Sequence, residues 1–530
     1  MISREIRASP IFGEFSPEEQ DRYFDLKKEK VCAHVDTLYY TVSIYNDSND
    51  CLPGVEALLL QLKELKEQKV QFPSKAVEYF GLNLEPTRFV HYEYCLRLEE
   101  QFDIFVSSLL PNSFTPRIVV QLRSRFLVQV GASQAICRSF RYVNNILEAF
   151  GLEVDEVKEN RIDYAFHTNL VQNPYKFFSD AMLLKKLKSK LRIYHKVGEI
   201  GKKVDIDYIS FGNRKSNDIF VRIYNKSREV IEKNYKAFFI EKWYQDKLIN
   251  TYDYYVYTRA YELKSYVTGV LIGQIDWYLE YGHDENIKAE LTAAKESCYV
   301  KADNIDHLRE KVNKYLPPVT LIMNVEYQTK RKFYTSLDHY IDMFRLSYFE
   351  NGVFKGFYEN GDLPLFRLFS ILNIRSEICN YLTSNSLCFV DKKGTKDEKL
   401  SYWWKRINEC YIEEYDKRII DLWREYEHHS DIEKTKRRVC GTVASMSILK
   451  NQGFNNGTFM EDVSDMLCTL NDNDFYGFAP NPSTGEVPRK EPTYYRELKV
   501  RKERQYRSLT KEMKKLKEKE QIKKERENKK

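Results

Sequence analysis

The sequence predicts an α+β protein: a largely antiparallel β-sheet domain covered by helices, followed by a helical region and a basic C-terminal tail. Three observations lead there. Between about Thr87 and Val270, short segments rich in β-branched and aromatic residues interleave with helical patterns and hairpin-like turns. Beyond Ser265 the apolar spacing turns mostly helical, to about Leu449. The final segment from Lys499 is Lys/Glu low complexity. At 530 residues the chain exceeds one ordinary domain. The expected division is a helical arm (1–30), a sheet domain that carries the chemistry (31–268), a mainly helical region packing on it (269–453), a linker (454–498) and the tail (499–530).

Taken in order, Ser16-Pro17-Glu18-Glu19 reads as a helix start, with Ser as N-cap, Pro at the first position and acids in the first turn. Val31 to Tyr45 is β-branched and aromatic, hence a strand. Asn46 to Pro53 is a turn, and Val55 to Val70 has the spacing of an amphipathic helix. Further strands are expected at Phe89–Leu98, Ile118–Leu122, Phe126–Val130, Arg161–His167, Ile206–Phe211, Ile219–Asn225 and Tyr254–Leu263. Helices are expected between them at Ser133–Phe150 and Pro174–Lys190, and a helix start at Trp403-Trp404. Asn451 to Pro492 is rich in Asn, Asp, Gly, Pro and Ser, so it reads as a loop.

Composition narrows the class. No run of eighteen apolar residues exists to span a membrane. The opening residues lack the apolar core of a signal peptide. Ten cysteines are scattered without a CxxC pair, which fits reduced thiols in a cytoplasm. The net charge of +6 is unevenly spread: Lys499 to Lys530 holds fifteen Lys/Arg against six Asp/Glu, while the remainder holds 69 against 72. Such a tail suits a polyanion through counterion release, or simply a solvated extension.

Several chemistries lack their residues. There is no GxxxxGK[ST] loop for an ATPase, no GxSxG and no HExxH. A His-x-His metal pair is also missing; the adjacent His428 and His429 would point about 100° apart on a helix.

The informative stretch runs from Ser210 to Lys226 and reads as strand, polar turn, strand. In its second strand, alternation places Arg222, Tyr224 and Lys226 on one face and Val221 and Ile223 on the other. A phenol ionises near ~10 and is a weak nucleophile at neutral pH. Flanking cations favour the phenolate and hold a phosphate beside it, which is what tyrosine attack on a phosphodiester requires. With 39 tyrosines in the chain, such a placement also arises by chance. In Arg161-Ile162-Asp163-Tyr164-Ala165-Phe166-His167, the residues Arg161, Asp163 and His167 share a face. A carboxylate on an apolar strand needs a partner, either a basic side chain or a divalent cation. Glu262, in Thr258 to Lys264, stands in a similar setting. Two carboxylates from one sheet would suit Mg²⁺ or Mn²⁺.

The ordered set of R-I-D (Arg161–Asp163), F-G-N-R-K-S (Phe211–Ser216), R-I-Y-N-K (Arg222–Lys226) and E-L-K (Glu262–Lys264) resembles the replication initiation factor family of the Rep_trans type. That family comprises rolling-circle plasmid initiators and relaxases of some conjugative transposons. The resemblance extends from the opening strand around His34-Val35-Asp36-Thr37 to about Trp404, and Lys434 to Gly453 looks like the family's closing helix. It implies Tyr224 as the nicking nucleophile and Asp163 and Glu262 as members of a divalent metal site. Gln129 stands where the family places a glutamate, and His167 replaces an acid on its strand. Arg214, Arg222 and Lys226 are then expected to contact phosphates. The implied partners are a duplex or hairpin DNA origin, a second copy of the chain, and a helicase or coupling protein. The implied reaction forms a 5′-phosphotyrosine link and frees a 3′-hydroxyl. The sequence leaves open plasmid replication, conjugative transfer by the same chemistry, or a non-catalytic DNA-binding regulator on the same fold.

Overall fold

The computed structural model of the chain describes residues 4–424 with breaks, the longest at 198–207, 342–363 and 413–421, and then scattered positions together with 458–469. Contacts divide the chain into two units, 1–425 and 426–530. In the second, the described structure is chiefly the helix Phe459–Thr469. The linker beyond 469, the basic tail, the segment 444–453 and His428 and His429 lie outside the described residues.

Alternating apolar and polar residues build the centre of the first unit, an eleven-stranded sheet. Its strands are β1 (Val31–Ile44), β2 (Glu78–Tyr79), β3 (Leu82–Glu85), β4 (Tyr94–Leu98), β5 (Phe102–Val106), β6 (Ile118–Leu122) and β7 (Val154–Thr168). After β8 (Leu187–Ser189), which lies outside it, come β9 (Ile193–Val197), β10 (Tyr208–Phe211), β11 (Ile219–Asn225) and β12 (Met323–Lys330). The order is β2-β3-β4-β5-β6-β1-β7-β12-β11-β10-β9, and its described pairings are antiparallel. β8 pairs with β13 (Leu387–Phe389) in a two-stranded ribbon.

One face of the sheet is apolar. Leu38, Tyr40 and Val42 of β1, Ile162, Tyr164 and Phe166 of β7, Val325 and Tyr327 of β12, and Val221 and Ile223 of β11 are buried together. The helices Pro53–Gln71 and Ala132–Ala149 cover it through Val55, Leu58, Leu62, Ile136, Val143 and Leu147. Each such aliphatic side chain contributes about 1.5–3 kcal/mol by leaving water, so the register that turns these residues inward is fixed. Their neighbours in the alternation must then face the other way.

The α+β class, the opening strand and the strands Ile118–Leu122 and Ile219–Asn225 agree with the sequence reading. The Ser16 cap is also present: Ser16 Oγ accepts from the Glu19 amide, and the Ser16 amide donates to Glu19 Oε2 at 2.8 Å. Other expectations need correcting. The segment Phe126–Val130 is part of a helix, Ser124–Val130, because Phe126 and Leu127 are both buried, and a strand would send adjacent residues to opposite faces. Gly131, at φ +79°, ends that turn and leads into the next helix. Tyr254–Leu263 is likewise helical up to Glu262, in the helix Thr251–Glu262 that Leu263 caps. Asn250 caps it, exchanging hydrogen bonds with Asp253, and Tyr252, Val256, Tyr257 and Ala260 form its buried stripe. The aromatic and β-branched content that reads as a strand is overridden by close packing against the helix Val267–Tyr281. There Gly269 and Gly273 let two backbones approach; a Cβ on Gly273 would stand 2.9 Å from the Val256 carbonyl oxygen.

Pro174–Lys190 splits into two short helices, Pro174–Phe178 and Asp180–Lys186, before β8, and the strand expected from Phe89 starts only at Tyr94. The largest correction concerns β12. It lies within the range read as helical (269–453) yet is inserted between β7 and β11, so the sheet does not end at 268. No described helix is long and apolar enough to cross a membrane.

Candidate active site

The polar face of the sheet gathers its chemistry where β7, β12 and β11 run side by side. On β11, Arg222 and Tyr224 project to the same side, and their partners on β12 are Glu326 and Asn324. On the far side of β12, His167 of β7 pairs with Asn324 and Asp163 pairs with Gln328. Beyond β7, a bulge in β1 between Val35 and Thr37 adds Asp36 beside His34.

The partly exposed Tyr224 is held by three neighbours. Its hydroxyl donates to Glu326 Oε2 at 2.9 Å. It accepts from Asn324 Nδ2 at 3.0 Å and from Lys226 Nζ at 3.4 Å. Arg222 ion-pairs with the other oxygen of Glu326 and lies 5.4 Å from the centre of the Tyr224 ring. Burial, and then the charge of Glu326, push the phenol well above its ordinary value, although Lys226 and Arg222 pull the other way. The expectation that flanking cations alone would favour a phenolate is therefore reversed. Tyr224 rests as the neutral phenol, its hydrogen bond directed to a carboxylate.

The other expected residues divide. Asp163 is gripped by Arg161, whose Nε donates to Oδ1 at 2.8 Å. Burial, with Glu326 and Asp36 adding, pushes its carboxyl up to about 7 against the pull of Arg161. Arg214 is exposed in the turn before β11 and donates to Gln328 Oε1 at 3.2 Å. Arg222 keeps about a quarter of its side chain exposed (26%), enough to meet a ligand. Lys226, expected to touch phosphate, is fully buried; its ammonium pairs with Glu229 at 2.8 Å and faces the rings of Tyr224 and Phe239. It acts on the phenol and not on a solvent-borne phosphate.

Two expected metal ligands lie elsewhere. Gln129 is exposed on its helix. Glu262 ends the helix Thr251–Glu262, more than half exposed, paired to Arg259 three residues earlier. His167 is in place but wrongly configured for a metal. Trp243 Nε1, which can only donate, gives its hydrogen to His167 Nδ1 at 3.0 Å. The single lone pair of the neutral ring is thus engaged, and Nε2 carries the proton. Burial drives the His167 pKa well below the normal range, so the ring stays neutral. Asp163 and Glu326 are each occupied by an arginine. Among the described residues no group of three or more His, Cys, Asp and Glu is placed to hold a metal ion. As arranged, these side chains do not fit Mg²⁺ or Mn²⁺.

Sequence reading missed Glu326, Asn324, His34 and Asp36. A signal for the first two existed: Asn324, Glu326, Gln328 and Lys330 alternate with Met323, Val325, Tyr327 and Thr329, the same period-two pattern that marks β11.

No protein-family model matches the chain, and no curated protein matches it. Among solved structures it is similar to a rolling-circle replication initiator protein from Geobacillus stearothermophilus, with 12% identity and a TM-score of 0.32, over 72% of this chain and 98% of that one.

Proposed function

We propose that the chain nicks one strand of DNA, with Tyr224 as nucleophile and Glu326 as the base that receives its proton. The observation that carries this reading is the hydrogen bond from the partly exposed Tyr224 to Glu326, with Arg222 bridging the carboxylate to solvent. It is joined by the motif resemblance around Arg222–Lys226. The phenolic oxygen forms a bond to phosphorus, the bond from phosphorus to the 3′-oxygen breaks, and the proton held by Glu326 passes to that oxygen. A 5′-phosphotyrosine and a 3′-hydroxyl result, and the bond energy is retained for rejoining. A positioned carboxylate of this kind contributes about 10²–10⁴-fold. Arg222, with Arg214 beside it, balances charge on the phosphoryl oxygens. Asp163 and Glu326 are each paired to an arginine, so the steps above are carried by the side chains alone.

The partners that this reading calls for are a DNA origin, a second copy of the chain and a helicase or coupling protein. Plasmid replication and conjugative transfer use the same chemistry. The test is a nicking assay on supercoiled plasmid carrying the DNA that flanks the gene, with and without Mg²⁺ or Mn²⁺. Wild type should relax the plasmid and form a covalent adduct mapping to Tyr224, and Tyr224→Phe should do neither. Equal inertness of both on DNA that the chain binds specifically would favour the regulator instead.

A further inference from the structure

Away from Tyr224, the polar face carries a second feature. Strand register sets one row of side chains straight across six strands: Arg97 (β4), Asp103 (β5), Gln121 (β6), Tyr39 (β1), Arg161 (β7) and Lys330 (β12). At about 4.8 Å per strand this row spans roughly 24 Å, the length of a few nucleotides.

The charges along it are layered. The Asp103 side chain is 3% exposed, whereas Arg97 and Arg123, which both bond to it, are 34% and 36% exposed. Asp163 is 1% exposed beneath Arg161 at 20%. Glu326 and Arg222 repeat the pattern nearer Tyr224, at 1% and 26%. Asp103, Asp163 and Glu326 form the floor and four guanidiniums the roof, so a ligand arriving from water meets cations, with Glu85, 31% exposed beside Arg97, at the β4 end. In the middle stands the partly exposed ring of Tyr39, with the Arg161 guanidinium 5.4 Å from its centre.

We infer that this row is a track for single-stranded DNA leading away from the nick site, with Tyr39 stacking a base and Arg97, Arg123 and Arg161 meeting the backbone. Guanidiniums that track phosphates and an aromatic ring that accepts a base face are the two elements of single-strand binding. A duplex keeps its base faces stacked on one another and offers nothing to Tyr39. The inference rests on the reading of Tyr224 as the nicking residue, because that reading places single-stranded DNA on this face.

The test uses the full chain and a fluorescein-labelled twelve-nucleotide oligo(dT), one copy substituted with 5-iododeoxyuridine for photo-cross-linking. The cross-link should map to Tyr39. Tyr39→Leu should abolish that adduct and weaken binding about tenfold, the scale of one lost base stack. Tyr39→Phe, which keeps the ring, should bind within twofold of wild type. Arg123→Gln leaves Arg97 on Asp103 and should lower the slope of log affinity against log salt by about 0.7, one phosphate contact. Tyr224→Phe should retain both binding and the Tyr39 cross-link, which separates the track from the chemistry. Cross-links confined to the basic tail, unchanged affinity in Tyr39→Leu, or equal competition by a twelve-base-pair duplex would each overturn the track. A Tyr39 cross-link in a chain that never nicks would uphold the track and remove only the nucleophile.

Discussion

Glu262 and Glu326 carry the same carboxylate and each pairs with an arginine, yet they meet opposite fates. Glu262 ends a helix, is 56% exposed, and pairs with Arg259 three residues earlier. Such a surface pair is worth little, because water screens it and two long side chains lose freedom to form it. Glu326 lies mid-strand, 1% exposed, with Arg222 on one oxygen and the Tyr224 hydroxyl on the other. Two strands meeting side by side give a carboxylate a phenol to accept from; a helix surface gives it only its own turn.

The comparison is sharpest under substitution. Glu326→Gln should slow nicking by about 10²–10⁴-fold, while Glu262→Gln leaves the rate unchanged; relaxation of supercoiled plasmid measures both. The pH profile adds a second discriminator. Because the Tyr224 pKa is raised, the phenolate is scarce throughout the neutral range, and its fraction grows tenfold per pH unit until that raised value is reached. Without Glu326 to accept the proton, and with its charge no longer raising the phenol, the residual rate of Glu326→Gln should climb with pH from 7 to 9 as the phenolate fraction grows. Wild type should climb less over the same range.

Smaller effects probe the helical side. Gly273→Ala would raise helix propensity by up to about 1 kcal/mol in an open helix. Here the added Cβ meets the Val256 carbonyl oxygen at 2.9 Å, so the variant should instead lose about 1–3 kcal/mol in urea denaturation. His167 supplies a pH effect on stability. Its folded pKa lies well below 6.5, so between the two values the unfolded chain binds a proton that the native chain does not. Stability from this group is therefore full above pH 6.5 and falls with acid, by about 1.4 kcal/mol per pH unit. Asp163, its carboxyl pushed up to about 7, titrates with the opposite sign in both proteins. The slope is therefore read by denaturation as the difference in stability between wild type and His167→Gln, which should shrink from pH 7 to 5.5. Smallest of all, Glu262→Ala should leave the urea midpoint where it is.

Much of the sheet was legible because burial and alternation are written locally. Val221 and Ile223 against Arg222 and Tyr224 announce both the strand and its two faces. The helix Thr251–Glu262 was illegible for the opposite reason: its tyrosines and valine favour a strand, and only the glycine-mediated approach of the next helix makes the helical form the better packed one. The expected set of metal ligands did not assemble for the same reason. Asp163 and His167 share a face as expected, but which partner each takes depends on Arg161 and on Trp243, the latter 76 residues away.

By itself, then, the sequence determined the α+β class, the strand bearing Tyr224 and the side of the sheet on which that tyrosine stands, since a two-residue repeat is a property of the extended backbone alone. Only the tertiary structure decided that Glu326, 102 residues further on, would lie against it. That register is set by Val325 against Ile223 and Tyr327 against Val221, contacts whose value comes from excluding water between distant segments and which no local pattern encodes.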